Sequence, residues 1–228
     1  MSRQFQREIE RLKEQILSIG TTVEESLYKA VSAIEERRED DAQAVIDGDK
    51  TVDQMEVDLE EECLKLLALY QPVAIDLRFI VAVLKINNDL ERIGDLAVNI
   101  AERALFIASE PDTGLLFDFG AMAGKVQKML KNSLDSLVRL DGLLALEVIR
   151  ADDEVDAMNR EMYLRVSKAL CDQKGNPNTL LHQFMIARHL ERTADQATNI
   201  AEDVIYMIEG QIVRHKTEDY RMAHKKRK

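Results

Sequence analysis

The feature that most limits how this chain can fold is an internal echo. "LERIGDLAVNIAE" runs from Leu90 to Glu102, and "LERTADQATNIAE" runs from Leu190 to Glu202, 100 positions later. A second pair, "DKTVDQM" from Asp49 and "DDEVDAM" from Asp152, recurs in the same order at an offset of 103. Two matched segments in one order mark a duplicated unit. Whatever the first half folds into, the second half must fold into something alike.

That unit reads as helical. Ile9, Leu12, Ile16, Ile19, Val23, Leu27, Val31 and Ile34 recur at helical spacing and predict one amphipathic helix from Phe5 to Glu36. Asp40 or Asp41 is placed to cap a second helix, which carries Val45, Val52, Met55, Leu59, Leu66 and Leu69 and stops at Tyr70 to Pro72. A third runs to about Ser109, and "EPDTG", Glu110 to Gly114, reads as a linker. The order then repeats. Leu115 to Leu140, Leu143 to Asp172, and a sixth segment ending near His215 are separated by corners at Asp141–Gly142 and Lys174–Asn178. Composition agrees: three Pro and nine Gly in 228 residues, with 5% aromatics, suit long helices better than sheets. Short connections make neighbouring helices antiparallel. The expected fold is all-α, two tandem three-helix bundles over residues 1–110 and 115–216, with a basic tail at 217–228 expected to be disordered.

The formal net charge of −11 disfavours nucleic acid and anionic membrane as partners. The most apolar run, Phe79 to Leu84, is far shorter than the ~20 residues that span a bilayer, and "MSRQFQREIERLKEQ" contains no signal core. Cys63 and Cys171 stand apart in helical patterns, where small buried thiols are expected. These readings together predict a soluble, cytoplasmic protein.

The repeated segments put acids on one face. At about 100° per residue, Glu91, Asp95, Asn99 and Glu102 form a stripe roughly 16 Å long, with Ile93, Leu96, Ala97 and Ile100 opposite. Glu191, Asp195, Asn199 and Glu202 do the same in the second copy. On the preceding helices, Asp49, Asp53, Glu56 and Glu60 share a face, and their counterparts are Asp152, Asp156, Asn159 and Tyr163. A solvated helix face also looks like this. Yet like charges at i and i+4 are mildly unfavourable, and Asp49/Asp53, Glu91/Asp95, Asp152/Asp156 and Glu191/Asp195 all adopt that spacing. Four such pairs at corresponding places suit hard cations, which take oxygen donors.

Catalysis is less well supported. The GxxxxGK[ST], GxSxG and HExxH patterns are absent, as are the Glu-x-x-His helices of di-iron bundles. His182 and His189 fall on the core side by helical phase and read as structural. A metal-dependent phosphoester hydrolase and a purely structural docking module remain alternative readings.

"DLERIGDLAVNIAE" and "HLERTADQATNIAE", each preceded by a DxxxD helix, resemble the twice-repeated E(D)xxxD motif of the PhoU family of phosphate-uptake regulators. The likeness runs from the first helix to about residue 210. It implies a non-enzymatic, cytoplasmic accessory protein of the phosphate ABC transporter. Such a protein would restrain uptake and signal between the transporter ATPase and a sensor histidine kinase, typically as a homodimer. The resemblance also implies metal ions drawn from Fe, Zn, Ni, Mn and Mg, held in some members of the family as multinuclear clusters. The implied ligands are Asp49, Asp53, Glu91 and Asp95 in one bundle and Asp152, Asp156, Glu191 and Asp195 in the other. Asn99, Glu102, Asn199 and Glu202 extend the same stripes. Asn159 and Tyr163 depart from the acids of the first copy, so a weaker second site is expected.

Overall fold

The computed structural model describes residues 3–111 and 114–210. Among them it contains six α-helices and no strand: α1 (Arg3–Glu36), α2 (Glu39–Tyr70), α3 (Ala74–Ser109), α4 (Phe119–Arg139), α5 (Gly142–Cys171) and α6 (Pro177–Glu209). Helices α1, α2 and α3 pack on one another, as do α4, α5 and α6. The two trios then join along α1 with α4 and α3 with α6, so their buried side chains form one continuous core.

The stripe read from the sequence in α1 is buried as expected, from Phe5 through Leu12, Ile16 and Leu27 to Ile34. Leu69 is a correction: it was expected on the core face of α2 but is 76% exposed near that helix's end. The helix starts also differ. Arg38 occupies the N-cap of α2 without a side-chain cap, and Asp40 and Asp41 lie in the first turn, where they complement the helix dipole instead. Helix α4 begins at Phe119 rather than Leu115, because the preceding residues are held otherwise. The Leu116 amide donates to Gln183 Oε1 at 2.8 Å, Gln183 Nε2 donates to the Gly114 carbonyl, and Asp118 caps the helix through the Ala121 amide. Asp141 caps α5, and Asn176, followed by Pro177, caps α6. Helix α6 stops at Glu209, where Gly210 takes a left-handed φ of 70°, short of the expected end near His215. The remainder of that expectation and the basic tail at 217–228 lie outside the described residues.

Two close approaches fix how the elements stack. An added Cβ on Gly20 would lie 2.3 Å from Leu134 Cδ1, so α1 and α4 meet where a side chain is missing. Between the trios, Phe106 of α3 stacks on His182 of α6 with ring centroids 3.7 Å apart, and Arg78 Nε donates to the Met207 carbonyl. These contacts join opposite ends of α3 and α6, so the two helices run antiparallel.

Candidate functional site

The acids of each half line a seam between two antiparallel helices. In the first half, Asn87 Nδ2 on α3 donates to the Glu56 carbonyl on α2 at 2.8 Å. Two turns along α3, Gly94 is buried, and a Cβ there would lie 3.3 Å from Val52 Cγ1 and 3.7 Å from Asp49 Oδ1. A glycine at this crossing lets the two backbones approach and presents Asp49 to α3. The Asp49 carboxyl is pushed above its ordinary range by partial burial and then by Asp53 and Asp95. Glu91 is pushed up by burial, Asp95, Glu56 and Asp53, with Arg92 opposing. Glu56, which the sequence resemblance did not include among the ligands, belongs to the same electrostatic group; burial, Glu60 and Asp53 raise it. Carboxylates from two helices therefore sit near enough to resist each other's ionisation.

The second seam repeats the arrangement with deeper burial. Burial, reinforced first by Asp195 and then by Asp156, pushes the Asp152 carboxyl up to about 6. Glu191 is raised by burial and Asp195 against the pull of Arg188, and Asp195 by burial and Asp156. Asp152 Oδ1, Glu191 Oε2 and Asn159 Oδ1 are buried without hydrogen-bond partners. Buried oxygens in that condition call for a proton or a cation. Both seams thus offer an all-oxygen donor set of the type hard cations prefer. Among the described residues no three His, Cys, Asp or Glu groups converge closely enough to ligate one ion as they stand. The acids line a seam and do not enclose a point.

The extensions of the stripes are about as open as the acids themselves, of which Asp53, Asp95 and Asp195 are exposed and the other five half-buried. Asn99 turns its amide back onto the Asp95 carbonyl at 2.7 Å, and Glu102 is exposed beside Arg103. Asn199 and Glu202 are only half-buried. His182 and His189 stay out of the seams, as read from the sequence. His189 is buried, but neither ring nitrogen has a hydrogen-bond partner; burial, then Arg103 and Arg192, push it down to about 4 and keep it neutral. Cys63 is buried, and its thiol is pushed up to about 12, chiefly by burial. Cys171 is a correction: it lies exposed at the last residue of α5, where the helix face turns to solvent.

The sequence alone did not reveal that the second seam continues as a different surface. Beyond Asp152 and Asp156 come Asn159 and Tyr163 on α5, faced by Arg188 and Phe184 on α6. Tyr163 and Phe184 meet edge to face at 5.9 Å. Tyr163 was visible as a departure from Glu60, but its α6 partners depend on the helix register.

Comparison with known proteins agrees with this duplicated geometry. The PhoU domain matches residues 16–104 and again residues 119–204. The chain is 40% identical over 209 residues to the "Phosphate-specific transport system accessory protein PhoU homolog" of Aquifex aeolicus, covering 92% of this chain and 95% of that one. It is 33% identical to the PhoU accessory protein of Escherichia coli, over 94% of this chain and 89% of the relative. The crystal structure of PhoU from Pseudomonas aeruginosa superposes with a TM-score of 0.85 at 34% identity, covering 91% of this chain and all of that one. The phosphate transport system regulatory protein PhoU from Streptococcus pneumoniae gives 0.85 at 27% identity, over 92% and 99% of the two chains. These relatives are named as accessory or regulatory proteins and not as enzymes. With both halves matched and the relatives covered nearly end to end, the chain belongs to the PhoU family.

Proposed function

We propose that the protein is a phosphate-responsive adaptor. It restrains a phosphate ABC transporter through the transporter ATPase and passes the state of that transporter to a sensor histidine kinase. The observation that carries this reading is the match of both halves to the PhoU domain, among relatives named for phosphate-specific transport. Among the described residues no helix is long and apolar enough to cross a membrane, which suits a protein that meets its transporter at the cytoplasmic face. Homodimer formation belongs to the same proposal.

Metal ions are part of the reading. Asp49, Asp53, Glu91 and Asp95 would hold them in the first seam, and Asp152, Asp156, Glu191 and Asp195 in the second. The donor chemistry fits, as do the raised carboxyls and the unpartnered oxygens of Asp152 and Glu191. A bound cation would supply positive charge where the acids repel, tying α2 to α3 and α5 to α6. Gly94 lets α3 approach Val52 and Asp49 of α2, so that acids of both helices line the first seam.

The test is genetic. In cells lacking this protein and any second copy of its gene, phosphate-starvation genes should be expressed in ample phosphate, and the cloned chain should restore repression. Normal repression in the deletion strain would refute the proposal.

A further inference from the structure

The two halves have the same helices but not the same seam ends. In the first half, α2 offers Glu56, Glu60 and Glu61 beyond the shared acids, and α3 offers Leu84 and Asn88. The corresponding residues of the second half are Asn159, Tyr163 and Leu164 on α5, with Phe184 and Arg188 on α6. The exchange removes three potential negative charges and adds two aromatic rings and a guanidinium, with leucine moved from one helix to the other. It opens a groove of about 410 Å³ lined by Asn159, Arg160, Tyr163, Leu164, Phe184 and Arg188. Tyr163 is 58% exposed and Leu164 65%, and Leu181 and Met185 on α6 add further exposed apolar surface. In a chain of net charge −11, an exposed patch of Tyr, Leu, Met and Arg is the composition of a binding surface and not of a solvated face.

We propose that this groove is a docking site for an amphipathic helix of a partner protein, one whose apolar face is flanked by carboxylates. The inference rests on the chain acting through partner proteins. A groove between two antiparallel helices accepts a third helix laid on its apolar floor. The charge on the rim selects the flanks of that helix. Arg160 pairs with Asp156 at 3.4 Å and Arg188 with Glu191 at 3.2 Å, both on their own helices, and both guanidiniums remain more than half exposed. The Arg160–Asp156 pair is solvent-exposed and weak, so Arg160 can turn to a partner carboxylate, while Arg188 keeps the largely buried Glu191 and offers its remaining N–H donors to a second one. A second copy of this chain is the other occupant, and the sedimentation outcome below tests it. An anionic membrane fits less well, because its broad sheet of negative charge would also lie against the acidic seam, whereas a single helix covers the groove and its two arginines alone. The duplication has thus kept one seam acidic to its end and turned the other into a recognition surface.

The test uses the full chain and two synthetic 18-residue amphipathic helices, identical in their leucine face, one flanked by Glu and one by Lys. Titration calorimetry should show saturable binding of the Glu-flanked peptide at least tenfold tighter than that of its Lys counterpart. Tyr163→Glu with Leu164→Glu restores the residues of the first half, and both positions are exposed, so the fold should survive. That variant should lose at least tenfold in affinity at an unchanged thermal melt. Arg160→Glu with Arg188→Glu should reverse the preference toward the Lys-flanked peptide. The proposal is overturned by no binding, by equal binding of the two peptides, or by binding that survives the Tyr163/Leu164 exchange. It is also overturned if sedimentation shows a dimer that this exchange dissociates, or if the exchange abolishes binding to anionic vesicles. Complementation of the deletion strain separates the two proposals: full repression by a chain that fails the peptide test leaves the adaptor reading standing and removes only the groove.

Discussion

The Lys85 ammonium on α3 lies 3.1 Å from the Asp203 carboxylate on α6 and 5.2 Å from the centre of the Tyr206 ring. The pair ties the two halves together, with Asp203 buried at 2% exposure and Lys85 partly open to solvent. Removing one member leaves a buried carboxylate less well compensated. Lys85→Met keeps most of the stem that covers the ring but loses the charge. It should destabilise the protein by about 1–3 kcal/mol, at the low end for buried pairs because Lys85 is partly solvated. Urea denaturation should show a lower midpoint; an unchanged midpoint would mean that the pair does not hold the halves together.

The α1–α4 junction makes a second prediction. An added Cβ on Gly20 falls 2.3 Å from Leu134 Cδ1, which is the end of a flexible side chain. Gly20→Ala should be absorbed by a new Leu134 rotamer and gain helix propensity. Gly20→Val adds bulk that a rotamer change does not clear and should cost about 1–3 kcal/mol through overpacking. The contrast between the two variants in thermal melts is the measurement. A valine variant as stable as the alanine one would show that the helices are free to separate here.

Metal should stabilise the protein by mass action. At a free metal concentration 100 times the dissociation constant, the gain is about 2.7 kcal/mol for one site, or roughly 5–10 °C in a chain of this size. Asp53→Asn with Asp95→Asn should remove most of the gain from the first seam while helicity by circular dichroism is retained. Calorimetry that finds no saturable binding of Fe, Zn, Ni, Mn or Mg would return the acids to partner recognition or plain solvation.

Among the shifted groups, Asp152 and His189 act on the pH dependence of stability with opposite sign. Asp152 has a carboxyl raised from 3.8 to about 6, so the folded state holds a proton that the unfolded state has released. Its contribution to stability falls as pH rises through that window. His189 is lowered from 6.5 to about 4, so the unfolded state holds the extra proton and stability rises with pH over nearly the same interval. The two trends oppose each other. Asp152→Asn removes the falling one, so in metal-free buffer the variant's stability should climb more steeply than the parent's between pH 4 and 6. Denaturation midpoints across that range check this. A variant curve parallel to the parent's would show that Asp152 does not hold the proton.

The local rules were legible without a structure because they act within one helix. Apolar spacing placed the cores of α1 and α3, the duplicated order gave two like trios, and the i, i+4 acids stood on single faces because a helix turns about 100° per residue. Helix ends were harder to read. The start of α4 depends on Gln183 reaching across from α6, a contact between residues 67 positions apart.

Beyond antiparallel neighbours within each trio, what relates one helix to another was decided by packing. The crossing at Gly94 sets how near Asp49 comes to α3, and nothing in "RIGDL" alone says which helix lies against that glycine. The register of α5 on α6 sets Tyr163 against Phe184 and Arg188 beside Asn159, turning a departure from an acidic motif into a groove. Sequence thus determined which residues share a face, through backbone geometry that every helix obeys. Tertiary structure decided which faces meet, how deeply the acids are buried and therefore how strongly they hold protons, because those depend on side chains brought together from distant parts of the chain.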